Sequence, residues 1–332
     1  MEASRLLLTP TFKEIICSNL TFEEAVQLRD ALKLPSLKCP ISVFDPINQK
    51  EIILPGVNSV TLASYELIKQ HGCNLAFFEA SKTGQNEIVK TLLTAGVDVN
   101  TADQNGKTAL MFASFTGQNL VVQTLIDNGA NVDAVDQSGE TALIFAAKHN
   151  RNLVVQILID NGANVDAVDQ RGWTALMFAA KYGQNLAVQT LIDNKAGVNM
   201  VTQTGSTALM KAAKKGYNLV VQTLLNAENI NINLGGWFGW TALMIAAQNG
   251  QNEIVKTLLA AKDIDVNVTN RDGRTALIIA AQNGRNETVK TLLAAKDIDI
   301  NAFDQHGRTA LMKAAQNDYQ ETVQILRAAG AH

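Results

Sequence analysis

The sequence predicts an all-α protein: a solenoid of about eight helix-turn-helix repeats, led in by a small mixed segment of helices and a hairpin. Three observations carry this. The triplet Thr-Ala-Leu begins at Thr108, Thr141, Thr174, Thr207, Thr241, Thr275 and Thr309, at intervals of 33 or 34 residues. Self-similarity at such a period marks a stacked repeat architecture. Between triplets, apolar residues return at helical spacing and are closed off by turn residues. Finally, all five prolines and all three cysteines (Cys17, Cys39, Cys73) lie in the first 73 residues. Composition therefore changes where the repeats begin, which places a boundary near Gly72 between residues 1–72 and 73–332.

One repeat shows how the residues make the elements. Thr141 is placed to cap a first helix, and Leu143, Ala146 and Ala147 share one of its faces. Small alanines let two helices pack closely. Asn150-Arg-Asn breaks that helix, and Leu153, Val154, Ile157 and Leu158 recur at the helical period of a second one. Gly162 suits the left-handed position that ends it. The stretch 163–172 carries turn residues into the next Thr-Ala-Leu. A degenerate eighth unit precedes the rest, since 77–84 aligns with 110–117.

The shared pattern is Asp-x-x-Gly-x-Thr-Ala-Leu-Met-x-Ala-Ala-x-x-Gly-x-Asn-x-x-Val-x-x-Leu-[Leu/Ile]-x-x-Gly-Ala-Asn-Val-[Asp/Asn]. It resembles the ankyrin repeat and covers residues 73–332. The resemblance implies an α-solenoid in which each repeat touches only its neighbours. One departure is consistent: Thr-Ala-Leu-Met or Thr-Ala-Leu-Ile stands where the family usually has Thr-Pro-Leu-His. The proline rigidifies and the histidine links neighbouring turns, so their replacement bears on the stability of each repeat and not on the fold.

Composition excludes several classes. Hydrophobic residues make up 47 % and charged residues 18 %, too apolar for a disordered chain. A net charge of −3 gives no general reason to bind nucleic acid or an anionic membrane. No apolar run approaches a transmembrane span of about 20 residues, and the N-terminus lacks the pattern of a secretory signal. Three cysteines fit a reducing compartment, so a cytoplasmic location is expected. No catalytic constellation, cofactor motif or metal site is expected. Cys39, His71 and Cys73 lack a Cys-x-x-Cys pair and a fourth ligand. Gly235-Gly236-Trp237-Phe238-Gly239 lies between repeats and not between a strand and a helix, so it is no phosphate loop.

The ankyrin resemblance implies that a protein partner sits on the concave face, formed by the loop fingers and the first helices. Carried over by position, Phe112, Phe145, Phe178 and Lys211 belong to that face. So do the residues before the turn: Phe115, Lys148, Lys181, Tyr182, Lys214 and Lys215. Together they make an aromatic and basic strip over the middle repeats. Aromatic anchors of this kind are enriched at interface hot spots. The phenylalanines either meet a partner or fill gaps between helices. The fifth finger, Leu234-Gly-Gly-Trp237-Phe238-Gly-Trp240, adds two tryptophans, and Trp173 holds the position in its own finger that Trp240 holds here. These large rings either form an interaction site or fold back on their neighbours.

Residues 1–72 admit three readings. Residues 8–33, with Leu8-Thr-Pro10, Ile15-Ile16 and Leu28-Arg29, resemble an F-box, which docks the Skp1 adaptor of cullin ubiquitin ligases. Residues 37–72, with Cys39-Pro40-Ile41, Asp45-Pro46 and Ile53-Leu-Pro-Gly56, resemble a U-box, which recruits ubiquitin-conjugating enzymes. Otherwise the segment is a plain cap over the apolar end of the array. A hairpin is expected over 41–54 in each case. The functional expectation is a scaffold that binds a partner protein. Its near-identical, Gln- and Asn-rich repeats resemble the ankyrin effectors that intracellular bacteria send into a host cytoplasm. The alternative is a ubiquitin-ligase component whose array selects the substrate.

Overall fold

The computed structural model describes residues 41–45, 50–54 and 73–332. Strands β1 (Ile41–Asp45) and β2 (Lys50–Leu54) form the expected hairpin, with Ile41 opposite Leu54 and Asp45 opposite Lys50. From residue 73 the chain alternates first and second helices. The first helices are α1 (73–83), α3 (Ala109–Thr116), α5 (Ala142–Lys148), α7 (Ala175–Tyr182), α9 (Ala208–Lys215), α11 (Ala242–Asn249), α13 (Ala276–Gln282) and α15 (Ala310–Gln316). The second helices are α2 (Asn86–Thr94), α4 (Asn119–Asp127), α6 (Asn152–Asp160), α8 (Asn185–Asp193), α10 (Asn218–Leu225), α12 (Asn252–Leu259), α14 (Asn286–Leu293) and α16 (Gln320–Ala328). Eight helix pairs stand where about eight repeats were expected.

The chain divides into two compact units. One ends at Ala146 and takes in Asp160–Ala163, and the other comprises Ala147–Ile159 and Asn164–His332. In the first unit α2 packs on α4, α3 packs on α4, and β2 lies against α2. In the second unit the first helices α7, α9, α11, α13 and α15 stack in sequence, as do the second helices from α8 to α16.

The repeated triplet is a helix start. Each Thr is extended, and its hydroxyl accepts the backbone N–H three residues on, as Thr207 does from Met210 at 3.2 Å and Thr241 from Met244 at 3.3 Å. Such a cap is worth about 1 kcal/mol. It compensates for an Ala at the first helical position, where a proline would have been pre-set. Gly117, Gly183, Gly216 and Gly250 end their first helices in the left-handed conformation. In the repeats without that glycine, Asn150 and Asp318 take positive φ nearby, at 60° and 59°.

Several first helices are apolar on almost every side because they are enclosed. In α7 all six residues from Ala175 to Ala180 are buried. The second helices are one-sided. In α8, Ala187, Val188 and Leu191 are buried while Leu186 is exposed. Burying each Val or Leu contributes roughly 1.5–3 kcal/mol.

Polar side chains supply the links between repeats that the absent histidine would have made. In the second unit, Thr223 donates to Asn185, Thr257 to Asn218 and Thr291 to Asn252, each at 2.7 Å. Asn199, Asn233 and Asn267 each bridge to the backbone of the following repeat, donating to one carbonyl and accepting one N–H. Fingers also bond backbone to backbone: Gln203 N–H donates to Arg171 O at 2.9 Å and Arg271 N–H to Phe238 O at 2.7 Å. In the first unit Asn100 bridges to Gly129 and Asn131, and Gln137 N–H donates to Asn105 O.

Within a finger, an Asp or Asn closes the turn by accepting two backbone N–H groups. Asp169 takes those of Arg171 and Trp173, and Asn270 those of Asp272 and Arg274. Asp304 does the same for His306 and Arg308, and also holds the Arg308 guanidinium at 2.9 Å and the Lys313 ammonium at 3.4 Å. Burial pushes the Asp304 carboxyl up, but these hydrogen bonds outweigh it and hold it well below the usual carboxylate range.

Candidate protein-interaction surface

The predicted residues converge most closely in the second unit. Trp173 closes its finger immediately before the Thr174 cap, and its ring packs on Phe178 of α7 with centroids 5.0 Å apart. Three cations gather on the Trp173 ring: Lys211 at 4.4 Å, Lys181 at 5.0 Å and Arg171 at 5.8 Å. Lys148 lies 5.1 Å above Phe178, and Lys181 also faces the Tyr182 ring at 5.1 Å. Each such contact contributes roughly 0.5–1 kcal/mol at an exposed site. Burial, and then Lys214 and Lys181, lower the pKa of Lys211. Lys214 and Lys215 are exposed beside it.

The residue before the cap is Trp173 in one finger, Ser206 in the next and Trp240 in the third. Beside the small Ser206 lies a depression of about 230 Å³. It is lined by Ser206, Met210, Lys211, Trp240, Ile245 and Gln248.

The fifth finger divides its aromatics. Trp240 lines that depression, whereas Trp237 and Phe238 stand at the tip, 61 % and 57 % exposed. The latter two meet edge to face, 6.3 Å apart at 83°, and Arg271 lies 5.5 Å over Phe238. Phe238 holds a left-handed backbone, φ 58° and ψ 17°, an unfavourable conformation for a bulky residue. Adjacent fingers are pressed together here. A Cβ on Gly236 would fall 2.3 Å from the Gly205 carbonyl oxygen, which is why the tip is glycine-rich.

The phenylalanine strip separates into two roles. Phe145 and Phe178 are buried, at 5 % and 1 % exposure. Lys107 lies over the first ring and Lys148 over the second. Phe112 is half-buried against Phe78, 5.4 Å away, and Phe115 is exposed. These last two belong to the first unit.

Three features escaped the sequence reading. Arg171 joins the Trp173 cluster, and aligning the fingers would have shown it as the arginine in a column that otherwise holds Asn105, Ser138, Thr204, Phe238, Asp272 and His306. Ser206 matters only as the gap in a tryptophan column. Third, Leu153, Leu186 and Leu219 form an exposed row on the second helices, at positions where later repeats carry Glu253, Glu287 and Glu321.

Of the residue 1–72 readings, only the hairpin strands fall within the described residues. The F-box-like stretch, the remainder of the U-box-like stretch, Cys39 and His71 lie outside them. Cys73 is buried. Among the described residues, no helix is long and apolar enough to cross a membrane.

The model of the family described as ankyrin repeats (3 copies) matches residues 77–169, 117–202, 150–235, 176–270 and 243–332. The chain belongs to the ankyrin-repeat family. Ankyrin repeats generally mediate protein–protein interaction, and their fold is typically non-enzymatic. The match begins at residue 77, so the F-box-like and U-box-like stretches gain no support from it. No curated protein matches the sequence.

Proposed function

We propose that this ankyrin-repeat protein is a scaffold that holds a partner protein on the face built by the first helices α7, α9 and α11 and their fingers. The observation that carries the reading is that Lys211 joins two features: with Lys181 it stacks on the Trp173 ring, and with Trp240 it lines the depression. Large aromatic anchors beside a concavity, ringed by polar groups, are the composition of an interface core. The exposed Trp237–Phe238 tip extends the same surface.

The test is affinity capture from a eukaryotic lysate with the full chain, alongside a Trp237→Ala/Trp240→Ala variant whose melting temperature is unchanged. Partners retained by the parent and lost by the variant support the reading. Equal retention removes the finger from it. The finer reading, an effector acting in a host cytoplasm, rests on the style of the repeats. Capture of Skp1 or a cullin that is lost on Ile15→Asp/Ile16→Asp substitution would instead make the chain a ligase component.

A further inference from the structure

Charge is sorted by helix in this array. The first helices α3, α5, α7, α9, α11, α13 and α15 contain no aspartate or glutamate, although the whole chain is net negative at −3. The lysines of these helices cluster as Lys148, Lys181, Lys211, Lys214 and Lys215, with only Lys313 apart from them. Second-helix lysines are neutralised on their own helix: Lys90 by Glu87, Lys256 by Glu253 and Lys290 by Glu287. Lys313 is neutralised by Asp304. Among the described residues no carboxylate pairs with Lys181, Lys211, Lys214 or Lys215.

Two of these ammonium groups are held in place by the Trp173 ring. They form a concentration of positive charge; burial first, and then Lys214 and Lys181, lower the Lys211 pKa. Like charges brought together without counter-charge raise the free energy of the unbound state, and an arriving anion relieves it.

The basic run ends abruptly. The next first helices, α11 and α13, carry no charge: α11 presents Ile245, Gln248 and Asn249, and in α13 Ile279 is buried and Gln282 is partly exposed. The depression beside Ser206 and Trp240 sits at this border, with Lys211 on one side and Ile245 on the other.

We infer that this surface takes an acidic protein segment, with carboxylates over Lys181, Lys211 and Lys214 and a neighbouring apolar side chain seated between Ser206 and Trp240. This rests on the face assigned under Proposed function and names the chemistry of its partner. A nucleic acid strand fits less well. Its phosphates repeat along its whole length and call for cations along the whole path, whereas here the first-helix lysines form one patch and α11 and α13 carry none.

The test presents a random dodecapeptide display library to the full chain and measures the selected peptides by fluorescence anisotropy. Three variants are compared: Lys181→Glu/Lys211→Glu, Ser206→Trp and Leu186→Glu, each checked by circular dichroism. The expected result is selection of peptides rich in Asp and Glu with an adjacent Leu, Ile, Phe or Trp. Their binding should weaken about tenfold or more on charge reversal and on filling the depression, and stay unchanged in Leu186→Glu. If Ser206→Trp abolishes binding while charge reversal does not, the face stands and its acidic partner falls. If only Leu186→Glu abolishes binding, the exposed leucine row is the site and both readings fall. If a single-stranded DNA homopolymer binds the same lysines more tightly than any selected peptide, the acidic-protein inference is overturned. Should charge reversal unfold the chain, Lys211→Met with Lys181→Met answers the same question.

Discussion

Asp304 shows how one side chain serves both turn and core. Its carboxylate closes a finger by accepting backbone N–H groups and neutralises the buried Lys313. Asn270 does the first task in its own finger with an amide oxygen. Asp304→Asn should therefore keep the turn and strand the lysine charge, costing roughly 1–3 kcal/mol in a thermal melt at neutral pH. The pH dependence follows from the lowered pKa of Asp304. A carboxyl whose folded value lies below its unfolded value of about 3.9 contributes stability above that pH, and loses it as pH falls below. The gap between parent and Asp304→Asn melts should thus narrow as pH drops below about 4. A gap that widened would contradict the assignment. Phe238 makes the opposite case. It stands in a left-handed backbone at an exposed tip, so Phe238→Gly should raise stability by about 0.5–1 kcal/mol while removing a contact ring. A lowered melting temperature would show that its packing on Trp237 outweighs the strain.

At the scale of the element, the legible and illegible parts separate for physical reasons. Helix starts were legible because Thr-Ala-Leu combines a cap with the first buried residues, and every such Thr heads a first helix. The depression beside Ser206 was not. It exists because α9 and α11 stand side by side with Ser206 and Trp240 at its edge, and no single repeat contains it. Nor could spacing tell a buried phenylalanine from an exposed one. Phe178 and Lys211 occupy equivalent positions, and the first is buried with Lys148 and Trp173 against its ring. The replacement for the histidine link was likewise spread over two elements. Thr257 on α12 donates to Asn218 on α10, two residues that look unrelated in sequence. Thr257→Val should leave that amide oxygen without its donor and cost about 1–2 kcal/mol in chemical denaturation. An unchanged midpoint would mean that apolar stacking alone holds the repeats together.

For the whole molecule, the account is one of sorted charge. Lysines on the first helices go unpaired by carboxylates between Lys181 and Lys215, while those on the second helices are matched within their own turn. Binding to that face should therefore weaken steeply as salt rises from about 0.05 to 0.5 M, since the attraction is screened over a Debye length of a few ångströms at the upper end. An apolar interaction through the leucine row would hold or strengthen. Peptides obtained in the display selection let the two faces be compared directly. Hydrogen–deuterium exchange of the full chain, with and without a selected peptide, is the most direct measurement. The account predicts slowed exchange in 171–182, 205–216 and 234–249, with the second helices α8 and α10 unchanged. Protection confined to α8 and α10 would contradict it.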